Sequence, residues 1–227
     1  ITAWRRHLHE RPELGFDVHG TAAFVAERLR EFGCDEVVTG IGRTGVVGLI
    51  KGRLGAGRTV GLRADMDALP IDEKTGRPYA SKVPGKMHAC RHDGHTAMLL
   101  GAAKYLAETR NFAGAAAVIF QPAEEGGGGG HEMVKDGMME RFGIASVYGM
   151  HNMPGLPVGQ FAIRPGPIMA ATAEFTITVR GRGGHAAMPH RAIDPVLIGS
   201  QLVTAFQTIA SRTADPVDSV VVTVTKF

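Results

Sequence analysis

The sequence predicts an α/β fold built on an open sheet, followed by a second, smaller domain. Three observations carry that expectation. Short aliphatic runs bounded by glycine alternate with helical stretches. Carboxylates and imidazoles fall repeatedly just past the ends of the expected strands, the edge where open α/β sheets bind ligands. The character of the chain then changes near Gly166, where a period-two run, a Gly/His loop and a proline-started helix follow one another.

Taken in order, residues 21–32 read as a helix. Ala22, Phe24, Val25 and Leu29 can share a face, and Gly33 suits its C-terminal stop. Residues 46–51 and 59–63 are short, aliphatic and glycine-bounded, as buried strands are, with a Gly/Arg turn over 52–58 between them. Asp65-Met66-Asp67-Ala68-Leu69-Pro70 follows directly on the second strand. Residues 94–109, rich in Ala, Leu and Met, read as another helix. A strand over 115–120 leads to Glu124-Glu125, and one over 145–150 ends at His151. The first domain is expected over 1–166 and the second over 167–227, joined through the Pro/Gly stretch 164–167. In the second, 173–180 alternates like a half-exposed strand and 181–190 is a loop. Asp194-Pro195 offers an N-cap and first-turn proline to a helix reaching about Ser211, and 218–226 reads as a strand.

Composition excludes several classes. A hydrophobic content of 44% against 21% charged residues fits a globular protein with a real core, and 6% aromatics makes that core mostly aliphatic. The net charge of +3 comes from scattered Lys and Arg, so there is no nucleic-acid footprint. No apolar run approaches the roughly 20 residues of a membrane span, so no membrane partner is expected. Two cysteines, Cys34 and Cys90, do not make a disulfide scaffold and point to a reducing compartment, the cytoplasm.

The most informative stretch is Met87-His88-Ala89-Cys90-Arg91-His92-Asp93-Gly94-His95, which packs a thiol, three imidazoles and a carboxylate together. Cys90 and His92 can point into one site from a turning segment. Zinc accepts thiolate, imidazole and carboxylate, and manganese, cobalt and nickel tolerate such a mixture. Cys90 also falls near a helix N-terminus, where the macrodipole favours thiolate. Taken alone, a Cys-x-His is more often a free cysteine beside histidines. His95 reads as a residue supporting the site or capping the helix. Adjacent carboxylates at Glu124-Glu125 raise each other's pKa. A metal relieves this by taking one as ligand, leaving the other as general base toward water; spacing alone assigns neither glutamate to either role. Asp65 and Asp67 alternate about Met66 and suit acceptance of a ligating imidazole's N–H. His151 and the loop residue His185 carry no mark of their own.

Together these segments resemble the M20 metallopeptidases, in the amidohydrolase branch of hippurate hydrolases, N-acyl-amino-acid amidohydrolases and auxin-conjugate hydrolases. The resemblance rests on Trp4-Arg5-Arg6-His7-Leu8-His9 with Pro12-Glu13-Leu14, on Leu62 to Pro70, and on the Cys90/His92 run. It continues through Gln121-Pro122-Ala123-Glu124-Glu125, Gly149-Met150-His151-Asn152 and Gly183-Gly184-His185-Ala186-Ala187, in the family's order. It implies a mixed-sheet catalytic domain of the phosphorylase/hydrolase-like type holding two divalent ions (Zn, Mn, Co or Ni), with a smaller α+β lid or dimerisation domain. It places Cys90, His92, Glu125 and His151 among the metal ligands and makes Glu124 the general acid/base. Asp67 becomes the orienting carboxylate, while Asn152 and the lid residue His185 contact substrate, the latter with a reach that can extend across a homodimer. The implied reaction is hydrolysis of the amide of an N-acyl or N-aroyl amino acid.

Three departures from the family pattern qualify these expectations, one being an N-terminal helix that reads as clipped. Arg91 stands where the family has glycine, and no residue here matches the family's last metal-binding histidine. The chain therefore reads as a truncated hydrolase. The rival readings are a catalytically silent piece that binds metal or dimerises only, and a module whose Cys and His residues hold nothing.

Overall fold

The computed structural model describes residues 1–227. They form two compact units, Ile1–Gln160 and Phe161–Phe227. In the first, the elements run α1 (Thr2–His9), α2 (His19–Glu31), β1 (Glu36–Ile41), β2 (Gly45–Lys51), β3 (Thr59–Asp65), α3 (His92–Thr109), β4 (Ala115–Gln121), α4 (Gly129–Lys135), α5 (Met138–Phe142) and β5 (Ile144–Gly149).

The five strands make one mixed sheet in the order β1-β2-β4-β3-β5. β1 and β2 are an antiparallel pair, β2 joins β4 antiparallel, and β4, β3 and β5 run parallel. Strand alternation explains why both faces are covered. Val46, Ile50, Val118 and Phe120 point to one face and pack with Val25 and Leu29 of α2 and Leu99 and Leu100 of α3. Val47, Ala117 and Ile119 point to the other and meet Met133 of α4 and Met138 and Phe142 of α5. Parallel strands buried on both faces read as continuous aliphatic runs, as Ala115–Gln121 does.

This topology creates the site. From β3 the chain returns through α3 to β4 on one side, then through α4 and α5 to β5 on the other side of β3. The C-terminal ends of the three parallel strands lie on one edge, with Asp65 paired to Gln121 and Arg63 to Gly149. Loops leaving those ends diverge there and open a crevice.

In the second unit the helix α6 (Pro195–Thr208) forms as expected, with Asp194 Oδ1 accepting the N–H groups of Val196 at 2.9 Å and Leu197 at 3.3 Å. It runs into a π-helical turn, Ile209–Thr213. The expected strands 173–180 and 218–226 do not form. Period-two alternation makes a strand only where a neighbour receives its backbone bonds and its apolar face. Here Phe175, Ile177, Val220 and Val221 stay exposed. Their alternation records a sheet face that this unit leaves unpaired.

Candidate metal centre

Three strand-end loops and the start of α3 bring the site together. The segment after β3 is tied to the segment before α3 by reciprocal backbone bonds between Leu69 and Met87, both 3.0 Å. That clasp sets Cys90 and His92 beside the end of β3. Arg91 lies between them with φ +66° and ψ +29°. The left-handed region costs a residue with a Cβ roughly 1–2 kcal/mol. Arg91→Gly is therefore expected to raise the stability of the protein by about 1 kcal/mol in urea unfolding, without changing the slope of the transition. A loss of stability would mean that the arginine side chain contributes more than its backbone costs.

His92 opens α3 and is fully buried. Its Nδ1 is 2.8 Å from the backbone carbonyl of Asp67, which places the proton on Nδ1 and leaves the Nε2 lone pair facing the crevice. The Asp67 carboxylate acts elsewhere. Its two oxygens accept the backbone N–H groups of Glu124 at 2.9 Å and Glu125 at 3.1 Å. The shortest distance from that carboxylate to His92 is 3.6 Å, too long for a hydrogen bond. Asp67 thus holds His92 through its main chain and the glutamate pair through its side chain.

The glutamate loop leaves β4 in a strained turn. Ala123, fully buried, has φ +48°, and its N–H donates to the Gly15 carbonyl at 3.0 Å. A Cβ at Gly129 would collide with the Pro122 carbonyl, so only glycine closes this loop. On the third strand end, His151 follows β5. Its Nδ1 lies 2.7 Å from the Asn152 carbonyl and its Nε2 3.5 Å from Cys90 Sγ.

The structure therefore brings Cys90, His92 and Glu125 together, with one ligand-type atom from each within 4.8 Å of the others, and sets His151 against Cys90. Two atoms show what the cluster is suited to hold. His92 Nε2 and Glu125 Oε1 are buried without any hydrogen-bond partner, and they face each other at 3.7 Å. A buried lone pair opposite a buried carboxylate oxygen is costly unless a cation lies between them. The sulfur, nitrogen and oxygen donors together fit a divalent ion of the zinc type. Electrostatics agree. Burial, with Glu125, Glu124 and Asp65 around it, pushes the Cys90 thiol up to about 12. The expectation that the helix dipole would favour thiolate is overridden by burial and carboxylates; only a cation reverses that balance. Burial likewise raises Glu125, against the opposing pull of His92.

Of the other residues singled out in the sequence, Glu124 sits at the rim, 39% exposed, with Oε2 3.8 Å from His92 Nε2. Asn152 is engaged by His95, whose Nε2 is 2.6 Å from Asn152 Oδ1. His185 belongs to the second unit, exposed on its loop, where Nδ1 accepts the Ala187 N–H at 3.2 Å. Asp65 takes the N–H of His95, at 2.7 Å, in place of a ligating imidazole.

Sequence reasoning also passed over a buried ionic cluster behind the centre. Asp93 Oδ2 contacts Arg5 Nε at 2.7 Å and His9 Nδ1 at 2.8 Å, and His9 Nε2 reaches Glu73 at 3.2 Å. Burial drives the neighbouring His88 down to about 4, and both its nitrogens lack partners. The signal was present: His9 and Asp93 both lie in motifs rich in titratable residues, but nothing local pairs residues 84 positions apart.

A profile of peptidase family M20/M25/M40 matches residues 61–226. The chain belongs to that family. Among M20 relatives it is 50% identical over 223 residues to a hippurate hydrolase of Campylobacter jejuni, covering 98% of this chain and 57% of the relative. It is 47% identical to an N-acetyl-L-cysteine deacetylase of Bacillus subtilis, covering 98% and 53%. It is 48% identical to an N-acyl-L-amino acid amidohydrolase of Geobacillus stearothermophilus, covering 100% and 61%. The chain thus spans a little over half the length of these M20 relatives, all of which are named as hydrolases of N-acyl compounds or hippurate. Among solved structures, a dinuclear metal binding M20 peptidase of Bacillus subtilis is 43% identical with a TM-score of 0.69, over 73% of this chain and 46% of that one. A Staphylococcus aureus protein described as an aminohydrolase is 39% identical with a TM-score of 0.76, over 100% and 60%.

Proposed function

We propose that this chain carries the metal-binding part of an amidohydrolase that cleaves the amide bond of N-acyl or N-aroyl amino acids. One observation supports the reading most: the unpartnered His92 Nε2 and Glu125 Oε1, buried and 3.7 Å apart beside Cys90. Cys90, His92, Glu125 and His151 are the ligand set, for zinc, manganese, cobalt or nickel. The substrate class comes from what the M20 relatives are named for, an acyl group on the nitrogen of an amino acid.

A divalent ion in that ligand set would supply Lewis-acid polarisation of the acyl carbonyl. The chain's own residues do the rest. The Asp67 carboxylate fixes the peptide of Glu124 and Glu125, so the two side chains diverge from a rigid base. Glu124, at the rim, takes a proton from the attacking water and delivers it to the leaving nitrogen. One water is consumed, the C–N bond breaks, and a carboxylic acid and a free amino acid leave. Asn152 and His185 are proposed as substrate contacts, and the second unit as a lid through which two copies pair. The support for that pairing is the exposed apolar run around Phe175 and Ile177. A reducing compartment suits the free Cys90. No helix of the chain is long and apolar enough to cross a membrane.

Metal loading tests this reading. Protein dialysed against Zn2+ or Mn2+ is expected to retain the ion and release benzoate from hippurate, and both properties should vanish in His92→Ala or after chelation. Protein that retains the ion and still turns over neither hippurate nor acetyl-amino acids would overturn it.

A further inference from the structure

We propose that His95 is a positioning residue, which transmits the rigidity of the sheet to the exposed ligand His151 through Asn152. The inference rests on the metal-centre reading above.

His151 needs such help. It lies beyond the end of β5 and is exposed, so the hydrophobic core does not orient its ring. Its backbone anchor is the bond from Nδ1 to the Asn152 carbonyl, 2.7 Å, and that peptide is itself in a loop. The aim of Nε2 at Cys90 is only as good as the placement of Asn152. His95 supplies that placement. Its Nε2 lies 2.6 Å from Asn152 Oδ1 and 3.1 Å from the Asn152 backbone nitrogen. The two rings also pack against each other, with centroids 4.5 Å apart at 62°, which limits rotation of His151.

His95 can do this because it is fixed from behind. It is 3% exposed, and its Nδ1–H donates to Asp65 Oδ1 at 2.7 Å. That bond fixes the plane of the ring, and with it the place of Nε2 beside Asn152. Asp65 in turn takes Arg63 Nη1 on Oδ2 at 2.9 Å, and Arg63 Nε reaches Gln121 of β4 at 2.8 Å. The Thr96 hydroxyl donates to the Asp65 carbonyl at 2.8 Å, locking α3 to β3. A continuous line of bonds therefore runs from β4 and β3 through α3 to the His151 loop.

The same geometry argues against ligation by His95 itself. Asp65, His92, His95 and His151 do offer atoms within 4.8 Å of one another. Yet both nitrogens of His95 and both oxygens of Asp65 already have protein partners. The atoms left over are His92 Nε2 and Glu125 Oε1.

A double-mutant cycle on the full chain tests the proposal, with Zn2+ and Co2+ affinities measured by chelator competition. His95→Gln is expected to weaken binding roughly 10- to 100-fold. His151→Ala should weaken it as well, and His95→Gln should add no further loss in the His151→Ala background. Cobalt spectra should agree: the sulfur-to-cobalt charge-transfer band of Cys90 persists in His95→Gln, while the ligand-field bands change as they do in His151→Ala. If His95→Gln does not fold, Asp65→Asn and Asn152→Ala carry the same cycle. Losses that multiply in the double variant, or a drop in stoichiometry from His95→Gln, would overturn the positioning role alone. A His151→Ala protein that binds both ions as the parent does would overturn the ligand assignment of His151, and this proposal with it.

Discussion

Glu124→Gln is expected to lower kcat for hydrolysis of an N-acyl amino acid by roughly a hundred- to ten-thousand-fold, the usual worth of a general acid/base, while bound metal stays unchanged. The geometry separates the two glutamates. Glu125 presents a buried oxygen without a partner to His92, whereas Glu124 is more exposed and 3.8 Å from the same nitrogen. Both are fixed at the backbone by Asp67, so neither substitution should disturb the other's peptide. Glu125→Gln should therefore lose metal first and activity as a consequence. Measuring metal content and kcat on both variants distinguishes the roles. If Glu124→Gln empties the site and Glu125→Gln leaves it full, the assignments are interchanged.

Asp93→Ala is expected to destabilise the fold by about 3–5 kcal/mol, the cost of removing one partner from a buried ionic pair. Asp93 has no exposed surface; its partners are His9, nearly buried, and Arg5, whose side chain is 28% exposed and so pulls the figure toward the lower end. The loss should also depend on pH. The hydrogen bond to Asp93 is the main cause that raises His9 above its ordinary 6.5, with Glu73 adding to it and burial opposing. Burial pulls Asp93 upward, but the bond to His9 and the charges of His88 and Arg5 leave it below its ordinary 3.8. The His9 contribution is fully present below pH 6.5 and disappears as pH rises through its raised value. The Asp93 contribution is present above 3.8 and disappears as pH falls through its lowered value. His88 opposes His9: held down to about 4 by burial, it contributes fully above 6.5 and loses that contribution toward pH 4. The stability gap between the parent and Asp93→Ala, from urea titrations at several pH values, should therefore narrow as pH rises above 6.5. A gap that widens there would mean His9 is neutral in the fold.

Much of the first unit is legible in the sequence because its elements are locally determined. β2, β3, β4 and β5 appear within a residue or two of the aliphatic, glycine-bounded runs that predict them, since such runs are what a sheet covered on both faces requires. β1 escaped because Glu36–Ile41 is a half-exposed edge strand with Gly40 at its bulge, which leaves no periodic apolar signal. α4 and α5 are short and bury one or two side chains each, too few to show a period. The second unit reversed the error: alternation over 173–180 predicts a strand, and without a partner to bond it the backbone forms none.

By itself, then, the sequence determined the α/β class, the strand ends and the order of the Cys, His and Glu motifs, because these depend on period and on neighbouring residues. Only the tertiary structure decided which atoms meet. Strand order 2-4-3-5 within the sheet carries residues far apart in sequence, such as Cys90 and His151, separated by 61 positions, to one edge. It also decided that Asp67 serves His92 by its carbonyl and the glutamates by its carboxylate, and that Asp65 serves His95. Hydrogen-bond direction depends on distances of a few tenths of an ångström between separate segments, and no local pattern encodes those distances.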